Sequence, residues 1–505
     1  MANKKKKEKT GSLLSIIYLI LFVIILSSFL SLIDIEGNKT SIVNGSLESS
    51  LITVRNILSL DGITYLFSNA INHFRNFEAL ILLMVAMIGI GVGETSGLFK
   101  HLFEPLKNIK FSIITFLIVF ISIISSFFGE VGYVFLIPIV AIMYKYINKN
   151  PLIGIITVFT GITLGYASGL TFSYNDYILG TMTQMSANVE VDPSYIFNGW
   201  SSIYVLIATT LIMSYFISFV IRKNIVPKMK LTYKNDNIDE LVTDKKALLY
   251  SFITFILCLA FIIYMIIPSL PKSGLLLSDE NGIYLVKLMS NNAPFRISLV
   301  FIITLLLMIT GYVYGTMTKN FKDTHEFGES LSANFNNLGY AFVLIFFVSQ
   351  LIGIIEWTNV GEVIACKLID FIASTSISGI LLIVSLFIIT IIIGLFIPST
   401  ITKWNLLSPM IVPLFMQSNI TPDFTQFVFR VADAIGKSFT FAFPYFIIMY
   451  AFFSKYSKTG EEKSLLEVYK FILPSLFIIT GIWLLVIVGW YIIGLPLGNG
   501  VYPTL

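Results

Sequence analysis

Three charged residues, Arg430, Asp433 and Lys437, fall inside the stretch "FRVADAIGKS" (429–438), where the surrounding chain is mostly Leu, Ile, Phe and Val. Spacings of three and four put them on one face of a helix. A charged side chain near the centre of a bilayer costs at least ~2.5–3.5 kcal/mol, so such groups face a cavity and have partners. Read this way, Asp433 pairs with both neighbours and leaves about one net positive charge, which suits an anionic substrate. Arg430 can grip a carboxylate through two parallel hydrogen bonds, while Asp433 orients it and exchanges protons. The plainer alternative is a charge network that only locks the helix in place, with the long Lys437 stem snorkelling outward.

Other polar residues sit at breaks in apolar runs. Asp176, in "SGLTFSYND", is a candidate proton carrier or ion ligand beside Ser173 and Asn175, or a helix cap. Glu130, in "GEVG" (129–132), is a candidate for proton coupling, because burial favours the neutral carboxyl, or a cap for the arm that follows. "PSTITKW" (398–404) offers the hydroxyls of Ser399, Thr400 and Thr402 and free backbone groups to a ligand. Trp404 can stack on an aromatic ring, or serve as an interface anchor or core filler. Gln350, Asn359 and Gly361 are lesser polar candidates.

The elements that must position these residues are spanning helices. Of 505 residues, 56% are hydrophobic and 12% charged, about half the charge of a soluble domain. Apolar runs of spanning length recur throughout, so the fold class is an all-α polytopic membrane protein. The run Leu13 to Ile33 is too long for a signal-peptide core and reads as a retained first helix. Lys4, Lys5, Lys6, Lys7 and Lys9 place the N-terminus in the cytoplasm. Lys100, Lys107 and Lys110, then Lys145 and Lys149, mark further cytoplasmic ends. The region 111–145 is therefore a re-entrant helical hairpin entering from inside, broken at Gly129 to Gly132. The region 377–416, broken at "PSTITKW", is a second hairpin entering from outside.

The expected organisation is a basic N-terminus (1–12), a first transmembrane half (13–221) containing hairpin 1, a cytoplasmic loop (222–246) and a second half (247–505) containing hairpin 2. This makes nine crossings plus two hairpins, with the C-terminus extracytoplasmic, in a bacterial-type plasma (inner) membrane. The loop 34–78 is extracytoplasmic with an amphipathic segment near its end. Pro138, Pro151 and Gly165 recur at one constant offset as Pro409, Pro422 and Gly436, and a weaker echo links "ETSG" (94–97) to "EWTNVG" (356–361). Two units of opposite topology are the architecture of many secondary transporters, with substrate held between broken helices.

Other classes find little support. Two cysteines and three scattered histidines give no disulfide framework or metal motif, and no Walker loop suggests ATP hydrolysis. No nucleophile–base set points to an enzyme. No cofactor beyond a coupling ion, H+ or Na+, and no nucleic-acid partner is expected. The partners are the bilayer and a small organic anion. A channel, and a C4-dicarboxylate or amino-acid carrier of the same hairpin class, are the rival readings.

At these residues the sequence resembles the p-aminobenzoyl-glutamate transporter (AbgT) family. The stretch 54–98, "GEVGYVFLIP", "SQLIGIIEWTNVG", "KWNLLSPMIVPLFM" and "TPDFTQFVFRVAD" carry the resemblance, which extends over nearly the whole chain. It implies homodimers, with Asp176, Trp404, Pro422, Arg430 and Asp433 along the transport route. It also implies uptake of p-aminobenzoyl-glutamate, a folate catabolite, or efflux of sulfonamide-like antimetabolites, by symport or antiport. The chain departs from the family pattern in three places. Ile401 stands where the family has a second serine, Phe441 replaces a proline, and "AIGK" replaces Ser-Ser-Thr-Asn. Lys437 thus takes an asparagine position, and its ammonium is expected to stand permanently where relatives would bind a coupling cation.

Overall fold

The structure is a computed structural model describing residues 2–43, 45–233, 241–335, 339–375, 377–440, 443–458 and 463–505, with only the backbone of 2–10. The side chains of Lys4 to Lys9, and Phe441, lie outside the described residues.

α1 (Ala2–Leu32) leads into an antiparallel pair, β1 (Glu36–Val43) and β2 (Ser46–Thr53), in which Glu36 faces Thr53. α2 (Leu60–Arg75), α3 (Glu78–Thr95) and α4 (Leu98–Phe103) follow. α5 (Phe111–Ser125) and α6 (Val131–Tyr146) form the first interrupted pair, followed by α7 (Pro151–Gly165) and α8 (Tyr174–Glu190). Next come α9 (Ile203–Val220), α10 (Lys245–Ile266), α11 (Tyr284–Met289), α12 (Pro294–Thr318), α13 (Thr324–Ser332), α14 (Gly339–Thr358) and α15 (Val360–Ser374). α16 (Gly379–Gly394) and α17 (Thr400–Gln417) form the second interrupted pair, followed by α18 (Pro422–Ser438) and α19 (Pro444–Tyr456), and α20 (Leu465–Ile493) is last.

The chain is a helical membrane protein, and eight helices among the described residues are long and apolar enough to span a bilayer. Among the described residues, the one departure in named elements from an all-helical expectation is the β1–β2 hairpin. It packs on α15 and is tied there by Lys39 Nζ and Glu362 Oε2 at 2.9 Å. α2 is the expected amphipathic segment, with Leu60, Phe67 and Ile71 exposed along one side.

The recurring prolines and glycines fall at equivalent places. Pro138 and Pro409 lie inside α6 and α17. Pro151 and Pro422 are the first residues of α7 and α18, where a missing N–H costs nothing, each preceded by a side-chain cap, Asn150 or Thr421. The weaker echo also has a structural counterpart. α3 and α14 each end shortly before a residue with positive φ, Gly97 or Asn359, which opens the next helix. The two units interlock: α17 of the second packs on α8 of the first, and α6 of the first on α19 of the second. At the centre, α7 and α18 are buried along their whole lengths. α10 is the opposite case, apolar yet mostly exposed, as a lipid-facing helix must be.

α16 crosses α18 at two glycines. A Cβ built on Gly394 would lie 3.1 Å from the Gly436 Cα, and one on Gly436 would lie 3.3 Å from the Ile391 backbone. Small residues are what permit backbones to approach this closely. Gly436→Ala is predicted to lower stability by about 1–3 kcal/mol through overpacking, and Gly436→Leu by more. Gly489→Leu, at a glycine with open space around it, is predicted to change little. Thermal unfolding in detergent would check all three.

Candidate functional site

The site is built around the charged face of α18. Arg430 ion-pairs with Asp176 Oδ1 through Nη1, and its Nη2 donates to the Tyr166 carbonyl at 2.8 Å. Tyr166 follows directly on α7, so one guanidinium holds both edges of the break between α7 and α8. The other oxygen of Asp176 is also occupied. Oδ2 accepts from the Ser173 N–H and hydroxyl, both at 2.7 Å, and the Asp176 N–H donates back to Ser173 Oγ, forming a capping box for α8. Of the alternatives for Asp176, the structure shows the helix cap on one oxygen, with an unanticipated ion pair to Arg430 on the other.

Asp433 does not orient Arg430, as the i,i+3 spacing suggested. It ion-pairs with Lys403 of α17 and lies 3.5 Å from Lys437 Nζ. Arg430 turns away because the buried carboxylate of Asp176 and the free carbonyl of Tyr166 stand on its other side. Thr400 completes the cluster: its hydroxyl donates to Asp433 Oδ2 at 2.6 Å and accepts from Lys437 Nζ at 2.7 Å. The Lys437 ammonium also sits 4.8 Å from the Tyr166 ring centroid. Asp433 and Lys403 are almost wholly buried, so each depends on the other for its charge. Counting Asp176, Arg430, Asp433, Lys403 and Lys437, the region still carries one net positive charge.

Two adjoining hollows of about 330 and 350 Å³ lie beside this cluster and share Glu78, Glu130, Asn175 and Arg296. The first reaches the α5–α6 break at Phe127 to Val131; the second reaches the α16–α17 break at Pro398 to Ile401 and includes Lys437. The cations at the wall are therefore Lys437 and Arg296. Arg430 is one layer behind, with both terminal nitrogens engaged. Arg296 donates to the Met289 carbonyl at 2.9 Å and lies 5.1 Å from the Tyr174 ring centroid.

Glu130 stands at the N-cap position of α6 but makes no cap hydrogen bond, and instead accepts from the Tyr166 hydroxyl at 3.3 Å. That hydroxyl accepts from Asn175 Nδ2 at 3.1 Å. Ser399 caps α17 and lines the second hollow with Thr400. Trp404 is not at the wall. It is fully buried, its ring faces Phe429 with centroids 4.4 Å apart, and its Nε1 donates to Leu179 O and Thr183 Oγ1. Pro422 starts α18 two turns before Arg430, away from both hollows. Gln350 bonds to Ala70 O and His73, joining α14 to α2.

Sequence reasoning missed Lys403, Arg296, Glu78 and Tyr166. Lys403 was open to the argument that singled out Arg430, a cation deep in an apolar region. Arg296 sits at a helix end, where charge is ordinary. Gln426 was also passed over; it links Thr183 Oγ1 at 2.7 Å to the Asp176 carbonyl at 3.3 Å, connecting the Trp404 contact to the ion pair.

Removing one member of a buried pair costs about 3–5 kcal/mol because the other charge is stranded. Arg430→Gln alone is therefore predicted to destabilise the protein by about that amount, and Arg430→Gln with Asp176→Asn by much less. A double-mutant cycle on detergent unfolding would read a coupling above about 1 kcal/mol. A coupling near zero would mean that the pair does not hold the break.

The pattern of the "AbgT putative transporter family" matches residues 10–505. The p-aminobenzoyl-glutamate transport protein of Escherichia coli (strain K12) is 24% identical over 494 residues, which cover 97% of this chain and 93% of that protein. Among solved structures, the YdaH transporter of Alcanivorax borkumensis is 24% identical, with 97% of this chain and 100% of that chain covered and a TM-score of 0.49. MtrF of Neisseria gonorrhoeae, described as illuminating a class of antimetabolite efflux pumps, is 26% identical, with 97% of each chain covered and a TM-score of 0.49. With a family match that spans nearly all of its length, the chain belongs to the AbgT family and is a multi-pass membrane transporter rather than an enzyme.

Proposed function

We propose that this transporter is an ion-coupled secondary carrier of a small organic anion, moving p-aminobenzoyl-glutamate-type folate catabolites inward or sulfonamide-like antimetabolites outward. The observation that carries the reading is the hollow between the two interrupted pairs, with Lys437 on one wall and Arg296 on another. Two cations set apart on a cavity wall suit a ligand with separated anionic groups. Glu130, Glu78 and Asn175 beside them suit an amine or amide N–H. The names of the Escherichia coli and Neisseria gonorrhoeae relatives agree with this chemistry.

The reading takes α5–α6 and α16–α17 as re-entrant hairpins entering from opposite faces, and the α7–α8 and α18–α19 pairs as single broken crossings, nine crossings in all. The N-terminus is inside, the C-terminus outside, and the protein works as a homodimer. α3 and α12 contribute residues of their first turns, Glu78 and Arg296, to the hollow. The lysine distribution puts those ends outside, so the hollow is open to the extracytoplasmic side. Transport then moves the interlocked units against the remaining helices, carrying the hollow across. Arg430 acts through Asp176 and Tyr166, fixing the break that forms the floor of the site.

Lys437 bears on coupling. Its ammonium is held by Thr400, Asp433 and the Tyr166 ring, the kind of oxygen-rich corner that a bound cation would use. A resident charge there makes uptake sodium-independent at this half, and leaves proton coupling to Glu130 or Asp433.

In proteoliposomes, p-aminobenzoyl-glutamate is predicted to be taken up faster than glutamate or succinate under an imposed proton gradient, with sulfamethazine competing. Arg296→Gln and Lys437→Gln are each predicted to cut uptake at least tenfold without loss of folded protein. Preference for succinate or glutamate would instead favour the dicarboxylate or amino-acid reading. Lys437→Asn is predicted to make residual uptake respond to sodium; sodium-driven uptake by the unaltered protein would contradict the resident-charge reading.

A further inference from the structure

A third cavity, of about 540 Å³, lies well apart from the transport hollow, where the end of the α9 region meets α19 and the start of α20. Its rim carries Lys228, Lys230, Lys463 and Lys470, and its floor is Phe453, Val468, Phe471, Met229 and Leu231. Glu467 is the one acid in its lining, and that carboxylate is already used. It accepts from Ser464 N–H at 2.8 Å and Ser464 Oγ at 3.0 Å to cap α20, and lies 3.7 Å from Lys463 Nζ. Among the described residues, Lys228, Lys230 and Lys470 have no ion pair; Glu461 and Glu462 lie outside the described residues.

We propose that this cavity binds an anionic phospholipid, with the phosphate among the lysines and an acyl chain along Phe471, Met229 and Leu231. Charge complementarity selects an anion, since among the described residues three lysines have no counter-charge. The apolar lining selects a lipid over a free anion, because a soluble phosphate would leave the half-buried Met229, Leu231 and Phe471 with nothing to cover them. The place in the fold agrees: long apolar helices, α9 and α20, begin or end here, and the basic residues cluster at that boundary, where anionic headgroups lie. α20 also packs against α16 and α18, so an occupied cavity steadies a helix that touches the central charged helix.

The test uses the full-length protein purified in detergent and stripped of lipid, and does not depend on which substrate is transported. Phosphatidylglycerol, phosphatidylcholine, glycerol 3-phosphate and inorganic phosphate are added separately, with bound lipid counted by native mass spectrometry and the melting temperature recorded. The expected result is at least tenfold preferential retention of phosphatidylglycerol over phosphatidylcholine, with a raised melting temperature. Neither water-soluble phosphate should compete. Lys228→Gln/Lys230→Gln/Lys470→Gln should lose the preference, and Lys107→Gln/Lys110→Gln should keep it. If the triple variant fails to fold, a photoactivatable phosphatidylglycerol on the unaltered protein should label 226–231 and 467–471. Equal retention of the two lipids, displacement by glycerol 3-phosphate or phosphate, an unchanged preference in the triple variant, or labelling elsewhere would each overturn the proposal.

Discussion

The structure depends on neutralising charge inside an apolar protein. α18 is buried on every side, yet it carries Arg430, Asp433 and Lys437. Arg430 and Asp433 are buried away from solvent, so each is answered by a group on another helix, while Lys437 lines the hollow. Arg430 is answered by Asp176 of α8, and Asp433 by Lys403 of α17. These pairs are poor sources of net stability, because taking both charges out of water offsets most of their attraction. What they fix is geometry: Arg430 joins α18 to α8 at Asp176, and Asp433 joins it to α17 at Lys403.

The rest of the core serves that arrangement. Asn150 and Thr421 start α7 and α18 at a proline, Gly394 and Gly436 let α16 lie against α18, and the Trp404–Thr183–Gln426 contacts carry α17 onto α8. The two breaks are then set at fixed places around one hollow. Tyr166 joins the parts: its carbonyl holds Arg430, its ring faces Lys437, and its hydroxyl links Glu130 and Asn175. A change at the α5–α6 break therefore reaches the charged helix through Tyr166, and one at the α16–α17 break reaches it through Thr400.

Much of this was legible in the sequence because charge is conspicuous in an apolar chain. Arg430, Asp433, Lys437, Asp176 and Glu130 stood out for that reason, and the two breaks followed from short apolar arms joined by Gly-Glu and Pro-Ser-Thr. Spacing alone could not say who pairs with whom. The i,i+3 and i,i+4 rule offered Asp433 to both Arg430 and Lys437. Lys437 keeps Asp433 at 3.5 Å, with Lys403 as a second, cross-helix partner, while Arg430 goes to Asp176 instead. Trp404 looked like a ligand-stacking residue because it follows a break, but one turn into α17 its ring points at α8 and Phe429. The β1–β2 hairpin went unread because 36–53 is polar and lacks a strong alternating pattern. The family resemblance added p-aminobenzoyl-glutamate and the homodimer, which residue chemistry alone could not supply.

The central claim is that Lys437 and Arg296 meet the substrate while Arg430 stays bound to Asp176. An experimental structure with p-aminobenzoyl-glutamate bound tests it most directly. The account predicts ligand density between the two interrupted pairs, with its carboxylates within hydrogen-bond reach of Lys437 and Arg296 and the Arg430–Asp176 pair intact. Ligand held bidentate by Arg430 with Asp176 displaced, or ligand outside this hollow, would contradict it.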